Sequence, residues 1–322
     1  MQQQRVLVIL PVANGARTMS NAMESVVRQS WPRVQLVTVV DPRSNDDSLG
    51  IATGHSQHVL QVRGERSKKI NEAFAAFGRS ADWVFWLDAD MIMSPRLIEC
   101  LVSFSFSRDL GACYTSEQIL GTSWTTRTRS FERHFFNGTP VDSFRWVSCA
   151  AFADVGGMSE EVFDIAGGEE WDLDARIRER VAFDFLDLSD HRQIEEWSPA
   201  VLGLVKRQSV KANLARVGIL HDDGKLSLSD FLRKKWYYMG GLSAYTQAAE
   251  NEARHHHRQM LNPLYRLVTV YVEQGKWRRV LRHPLMFLNV LALRLMVSLE
   301  YVAHKLTARR MSHGDPYGLS KS

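Results

Sequence analysis

Asp88-Ala89-Asp90 stands at the end of Trp83-Val84-Phe85-Trp86-Leu87, an apolar run of strand length rich in aromatic and β-branched residues. Two carboxylates one residue apart beside a buried strand are costly unless a cation lies between or next to them. Oxygen ligands of this kind suit Mg2+ or Mn2+, with diphosphate oxygens completing the shell. A turn carrying two solvated aspartates is the plainer reading of the same residues. Asp41 ends a second apolar strand, where it can accept hydrogen bonds from a base N–H or a ribose hydroxyl, or simply cap the next helix. Glu169 and Glu170 open a helix, where acids complement the helix dipole. His221, beside Asp222 and Asp223, can complete an O/N shell around Mn2+ or Mg2+, or be a turn histidine.

The elements that must position these groups alternate. Arg5–Pro11 reads as a first strand stopped by Pro11, followed by the loop Asn14-Gly15-Ala16-Arg17 and a helix capped at Ser20 and running to Gln29. Val34–Val40 is a second strand ending at Asp41, a helix starts near Asn45-Asp46-Asp47, and His58–Val62 is a third strand. Ser67–Phe77 is a helix with Ile70, Ala73, Phe74 and Phe77 on one face, and the strand before Asp88 follows. Four strand-helix alternations predict an α/β domain with a mainly parallel sheet, whose ligands sit in the crevice beyond the strands' carboxyl ends. The first turn lacks G-x-G-x-x-G, which excludes the standard dinucleotide fingerprint. Arg63, Arg66, Lys68 and Lys69 supply cations for a diphosphate, or a solvated surface.

With 45% apolar and 24% charged residues in 322, the chain has the balance of a globular protein with a full core. A net charge of +4 suits an anionic ligand or membrane surface, and no nucleic-acid partner is expected. The three cysteines have no metal-ligand spacing and read as core residues of a reduced, cytoplasmic protein. An N-terminus that enters a strand at Arg5 without a long apolar region reads as lacking a signal peptide.

Four motifs in order resemble the family 2 glycosyltransferases of the GT-A type. Val8–Gly15 resembles that family's strand closed by proline, Val40–Asp46 its V-D-D-G-S-x-D segment, and Lys68–Ala73 its segment that closes over the nucleotide; Asp88-Ala89-Asp90 falls on its Asp-x-Asp. Pro42 and Arg43 depart from the pattern, replacing the usual acid and glycine. Gly168–Ile177 resembles G-E-D-W-D-L-x-x-R-I, where the base position is Glu170 in place of aspartate; Glu169 is its alternative or helper. VGILHDDG resembles the late-histidine segment, and Lys234–Gly240 a K-x-x-Y-Y-G segment.

The resemblance implies a GT-A fold and metal-dependent, inverting transfer from a UDP-, GDP- or dTDP-sugar to the hydroxyl of a glycan, lipid-linked or small-molecule acceptor. It assigns Pro11, Asp41, Lys69, Asp88, Ala89 and Asp90 to the nucleotide sugar, and Asp90, Asp88 and His221 to Mn2+ or Mg2+. Residues 1–225 would form the catalytic domain (1–120 the nucleotide-sugar half, 121–225 the acceptor half) and 226–322 a helical extension. A sugar-phosphate nucleotidyltransferase and a non-catalytic nucleotide- or carbohydrate-binding protein are the alternatives; the former lacks its glycine-rich basic first loop.

Thr122–Trp146 mixes aromatics and arginines with no clean period and reads as an irregular insert, for acceptor recognition or for sealing the core. His255-His256-His257 reads as surface. Residues 276–302 form a basic, tryptophan-bearing leader and an apolar helix interrupted by Arg294 and Glu300. That suits peripheral contact with the inner face of the cell membrane, or a helix packed on the domain or in a homodimer.

Overall fold

The computed structural model describes residues 4–160, 168–188, 197–208, 217–236, 238 and 262–311. Val6–Val12 (β1), Val34–Val40 (β2), His58–Gln61 (β3) and Trp83–Trp86 (β4) form as the apolar runs predict. They are parallel, in the order β3-β2-β1-β4. Trp146–Ser148 (β8) extends the sheet antiparallel to β4, and Ala112–Thr115 (β6) and Phe183–Leu186 (β9) complete seven strands. Met91–Met93 (β5), Ile219–Asp222 (β10) and Glu117–Leu120 (β7) make a second, three-stranded sheet.

Helices Met19–Val27 (α1), Ser48–His55 (α2) and Leu97–Arg108 (α4) are joined by Arg66–Phe77 (α3), Trp124–Phe136 (α5), Cys149–Asp154 (α6), Glu169–Arg178 (α7) and Pro199–Arg207 (α8). Met19, Ala22, Met23 and Val26 of α1, with Leu97, Ile98 and Leu101 of α4, fill one core against Val8, Leu10 and Phe85. Ile70 and Ala73 of α3, with Leu173 and Ile177 of α7, fill a second against Ile9, Val84 and Trp86. A sheet covered on both faces needs strands apolar on both faces, and β1 is buried at all seven residues.

Pro11 lies inside β1 instead of ending it. β4 pairs with β1 only as far as Ile9, where Leu87 N donates to the Ile9 carbonyl, so the missing N–H of Pro11 falls beside a strand that has already ended. Ser20 lies within α1 and is not its cap. Gly111–Leu120 splits at Ser116 into strands of different sheets, β6 and β7. Thr122–Trp146, expected to be irregular, contains the thirteen-residue α5, capped by Ser123 Oγ accepting from Thr126 N. Its apolar stripe is blurred because it is covered on more than one side: Phe131, Phe135 and Phe136 pack against Tyr265, Val270 and Tyr271, while Arg129 turns to Asp223 just after β10 and Arg133 to Glu117 of β7. These phenylalanines seal core, as do Phe144 and Trp146.

Residues 228–236 are helical, opened by Ser227 Oγ accepting from Asp230 N. Trp277–Arg282 (α9) and Pro284–Met311 (α10) follow. His255–His257, Tyr237, Met239 and Gly240 of the Lys234–Gly240 segment, and the tail beyond Met311 lie outside the described residues. Cys100, Cys113 and Cys149 are buried free thiols, as expected.

Candidate active site

The loops that follow β1, β2 and β4 meet at one end of the sheet. Asn14 Oδ1 accepts from Asn45 N at 2.9 Å, and Ser44 Oγ from Asn14 N at 3.2 Å, which lock the first loop to the second. A side chain on Gly15 would come within 2.8 Å of Val12 Cγ1 and 3.1 Å of the Ala89 methyl, so a glycine there lets the Asp88–Asp90 loop close against the first loop. Ala89 and Asp41 thus lie in adjacent loops, with Pro11 one residue inside the end of β1.

Asp41, directly after β2, is buried and receives Lys69 Nζ at 3.0 Å from α3. Arg43 folds back on the same carboxylate with Nε at 3.0 Å and Nη2 at 2.8 Å. The Arg43 hydrogen bond, helped by Lys69 and opposed by burial, holds this carboxyl well below the ordinary carboxylate range. Arg43 is the more exposed partner, at 56%, whereas Lys69 is only 5% exposed. Arg43 is therefore withdrawn from Asp41 more cheaply than Lys69.

Arg66, the first residue of α3, points the other way. Its Nε donates to Asp88 Oδ1 at 2.7 Å and its Nη1 lies 2.8 Å from Glu170 Oε1. Arg145, immediately before β8, donates Nη2 to Asp88 Oδ2 at 3.0 Å and keeps Nη1 3.8 Å from Glu170. Two guanidiniums thus bridge Asp88 to the head of α7, and both oxygens of Asp88 accept from them. Trp86 Nε1 donates to Glu170 Oε1 at 3.0 Å. Burial works against the Glu170 carboxylate, but Arg66 and Arg145 overcome it and lower its pKa from 4.5 to about 2. Arg66 Nη2 is buried with no acceptor among the described residues.

The two glutamates have different surroundings. Glu169 Oε2 accepts from Gly168 N at 2.9 Å and its Oε1 lies 3.8 Å from Arg66 Nη1, while Glu170 faces Trp86 and both guanidiniums.

Asp90 belongs to a different cluster. β10 runs antiparallel to β5 with His221 opposite Met91, and Asp222 N donates to Asp90 O at 2.7 Å; this pairing brings His221 to Asp90 across 131 positions. His221 lies within β10 rather than in a turn, with Nε2 3.3 Å from Asp90 Oδ2 and Nδ1 2.9 Å from Glu117 Oε1. Burial disfavours the charged ring, but Asp90 and Glu117 raise its pKa to about 10. Burial likewise disfavours the Asp90 carboxylate, which His221 nonetheless holds well below its ordinary value.

Asp90 and His221 present oxygen and nitrogen donors separated by about the span of neighbouring ligands on an octahedral ion with bonds of ~2.1 Å. Among the described residues no third His, Cys, Asp or Glu closes a metal site. The pair therefore fits Mn2+ or Mg2+ as a shared site completed by phosphate oxygens and water. Asp88, expected on the ion, is instead engaged by the arginines.

Of the four basic candidates, Arg66 and Lys69 turn into the site. Arg145 and Glu117 were not legible as site residues; the available signal was their position beside β8 and in β7, visible only after sheet pairing is known.

Residues 7–163 match the family model described as Glycosyl transferase family 2. The chain carries a family 2 glycosyltransferase domain. Its central mixed sheet and flanking helices are those of the GT-A fold. Among solved structures, the mannosyltransferase PcManGT from Pyrobaculum calidifontis, in complex with GDP-Man and Mn2+, aligns with a TM-score of 0.51 at 12% identity, covering 98% of this chain and 82% of that one. TarS 1-349 of S. aureus in complex with UDP-GlcNAc aligns at 0.48 and 12% identity over 89% of this chain and 79% of its own. Against the longer S. aureus TarS the values are 0.47 and 15%, with 85% of this chain and 47% of that one covered, so this chain spans about half of its length. No curated protein matches the chain.

Proposed function

We propose that this glycosyltransferase moves a sugar from a nucleoside diphosphate donor to an acceptor hydroxyl, with inversion at the anomeric carbon. The observation that carries this reading is the meeting of Asp41, Asp88 and Glu170 around Lys69, Arg66 and Arg145 at the carboxyl ends of parallel strands. Asp41 and Lys69 receive the base and ribose, and Asp88 orients the donor sugar. A diphosphate oxygen supplies the acceptor that Arg66 Nη2 lacks.

Glu170 takes the acceptor proton. Its carboxylate is ionised at neutral pH but is a weak base while both arginines face it. Drawing Arg66 and Arg145 toward the donor's phosphates raises its basicity when a donor is bound. With one base, and with both oxygens of Asp88 engaged by Arg66 and Arg145, displacement is direct. Asp90 and His221 would hold Mn2+ or Mg2+, which when bound stabilises charge on the departing nucleoside diphosphate. Residues 1–225 carry these groups, and 226–322 form a helical extension in a protein of the cytoplasm.

Screening UDP-, GDP- and dTDP-sugars for release of free nucleotide, with and without Mn2+, tests the reading. One donor should turn over, with the divalent ion required and the activity lost in Asp90→Ala. Absence of turnover and of metal-dependent nucleotide binding with every donor would overturn it.

A further inference from the structure

α10 shows solvent a face whose large side chains are all apolar. Leu285, Leu288, Leu295, Leu299 and Val302 are exposed at 76%, 58%, 61%, 61% and 53%, and Leu281 of α9, at 69%, continues the row. Spacings of three, four and seven place the α10 residues on one stripe, ~26 Å long at 1.5 Å per residue. Of the two charges that interrupt the segment in sequence, Arg294 is turned inward, its Nε donating to Glu132 of α5 at 2.5 Å, and Glu300 is half-buried. Val290 and Leu293 are buried on that inner side, and Phe287 packs edge-on against Tyr271.

Pro284–Ala303 is long and apolar enough to cross a bilayer. A helix that keeps one side on α5 through an ion pair and buried leucine and valine lies along the protein instead. Cations frame the stripe. Arg278 and Arg282 are exposed at its start, and Lys305, Arg309 and Arg310 follow in the last turns of the same helix in sequence. Trp277, 44% exposed, stands at the basic end, where an amphipathic ring suits a membrane–water boundary.

We propose that α9 and α10 dock flat on an anionic lipid bilayer, with the leucine stripe at the headgroup–acyl boundary and the flanking basic residues on lipid phosphates. A second copy of the chain is the competing occupant. Whether two stripes paired parallel or antiparallel, a basic end would face a basic end, and the repulsion would oppose the dimer. An anionic leaflet meets both ends with opposite charge.

Flotation of the full chain with vesicles of phosphatidylcholine containing about one-third phosphatidylglycerol tests this. The chain should float with these vesicles, and not with pure phosphatidylcholine, and high salt should weaken the binding. Leu288→Glu combined with Leu295→Glu should reduce binding at least about a hundredfold. Arg278→Glu combined with Arg282→Glu should reduce it at least about tenfold. All four positions are exposed, so thermal melting reports an unchanged fold in both variants. A chain that stays unbound, leucine variants that float as well as the parent, or a dimer split by Leu295→Glu overturns the proposal.

Discussion

Trp86 donates its indole N–H to Glu170 Oε1 at 3.0 Å, joining the last residue of a buried strand to the first turn of α7. The donor fixes one oxygen of the candidate base from the protein side. Trp86→Phe keeps an aromatic side chain and removes the bond, and should lower kcat about tenfold, the loss of a hydrogen bond to a charged group, with KM for the donor little changed. Glu170→Gln should lower kcat by about 10^2 to 10^4. Steady-state kinetics on the donor identified by turnover checks both.

The arginine pair sets the pH response of that base. In the intact enzyme a Glu170 pKa of about 2 leaves no acidic limb of kcat/KM from this residue while the protein stays folded. Arg145→Gln removes one of two opposing cations while burial remains, so a limb should appear near pH 5. A pKa depressed on folding stabilises the fold above the unfolded value of 4.5, and that contribution is lost as pH falls toward 2. Arg145→Gln should therefore also be less stable at pH 7 and lose less on acidification. A pH–rate profile identical in the two proteins would remove the arginine from this role.

His221 links metal retention to pH. The imidazole, raised to about 10 by Asp90 and Glu117 against burial, must release a proton before Nε2 can bind an ion. Mn2+ affinity in the presence of nucleoside diphosphate should rise between about pH 6 and 8. Glu117→Gln alters the group that orients His221 and should weaken Mn2+ about 10- to 100-fold. Equilibrium dialysis across pH reads both effects.

Asp174 is a structural acid, fully buried, that accepts from Phe144 N at 3.0 and 3.1 Å and from the Tyr114 hydroxyl at 3.1 Å. Burial pushes its carboxyl well above the ordinary range. Asp174→Ala leaves two buried donors without acceptors and should cost about 3 kcal/mol. A fall of roughly 5–10 °C in Tm, by calorimetry, is expected.

Strands β1, β2 and β4 and the acids that follow the last two were legible in sequence because a sheet covered on both faces demands unbroken apolar runs, and its ligand loops begin where those runs stop. Glu170 at the head of α7 was legible for a similar reason, since two glycines and an acidic first turn mark a helix start. The α5 helix was not, because it buries phenylalanines on one side and arginine–acid pairs on another, which erases a single stripe. Only the tertiary structure named the protein partners of the two aspartates, giving Asp88 to Arg66 and Arg145 and Asp90 to His221. Sequence order cannot rank partners that lie 22, 57 and 131 positions away; β8 beside β4 and β10 beside β5 do. Arg294 carries the same lesson at the other end of the chain. By composition it interrupts an apolar helix, but facing Glu132 it leaves that helix with an uninterrupted apolar face, because a helix assigns its side chains to sides only once a neighbour has claimed one of them.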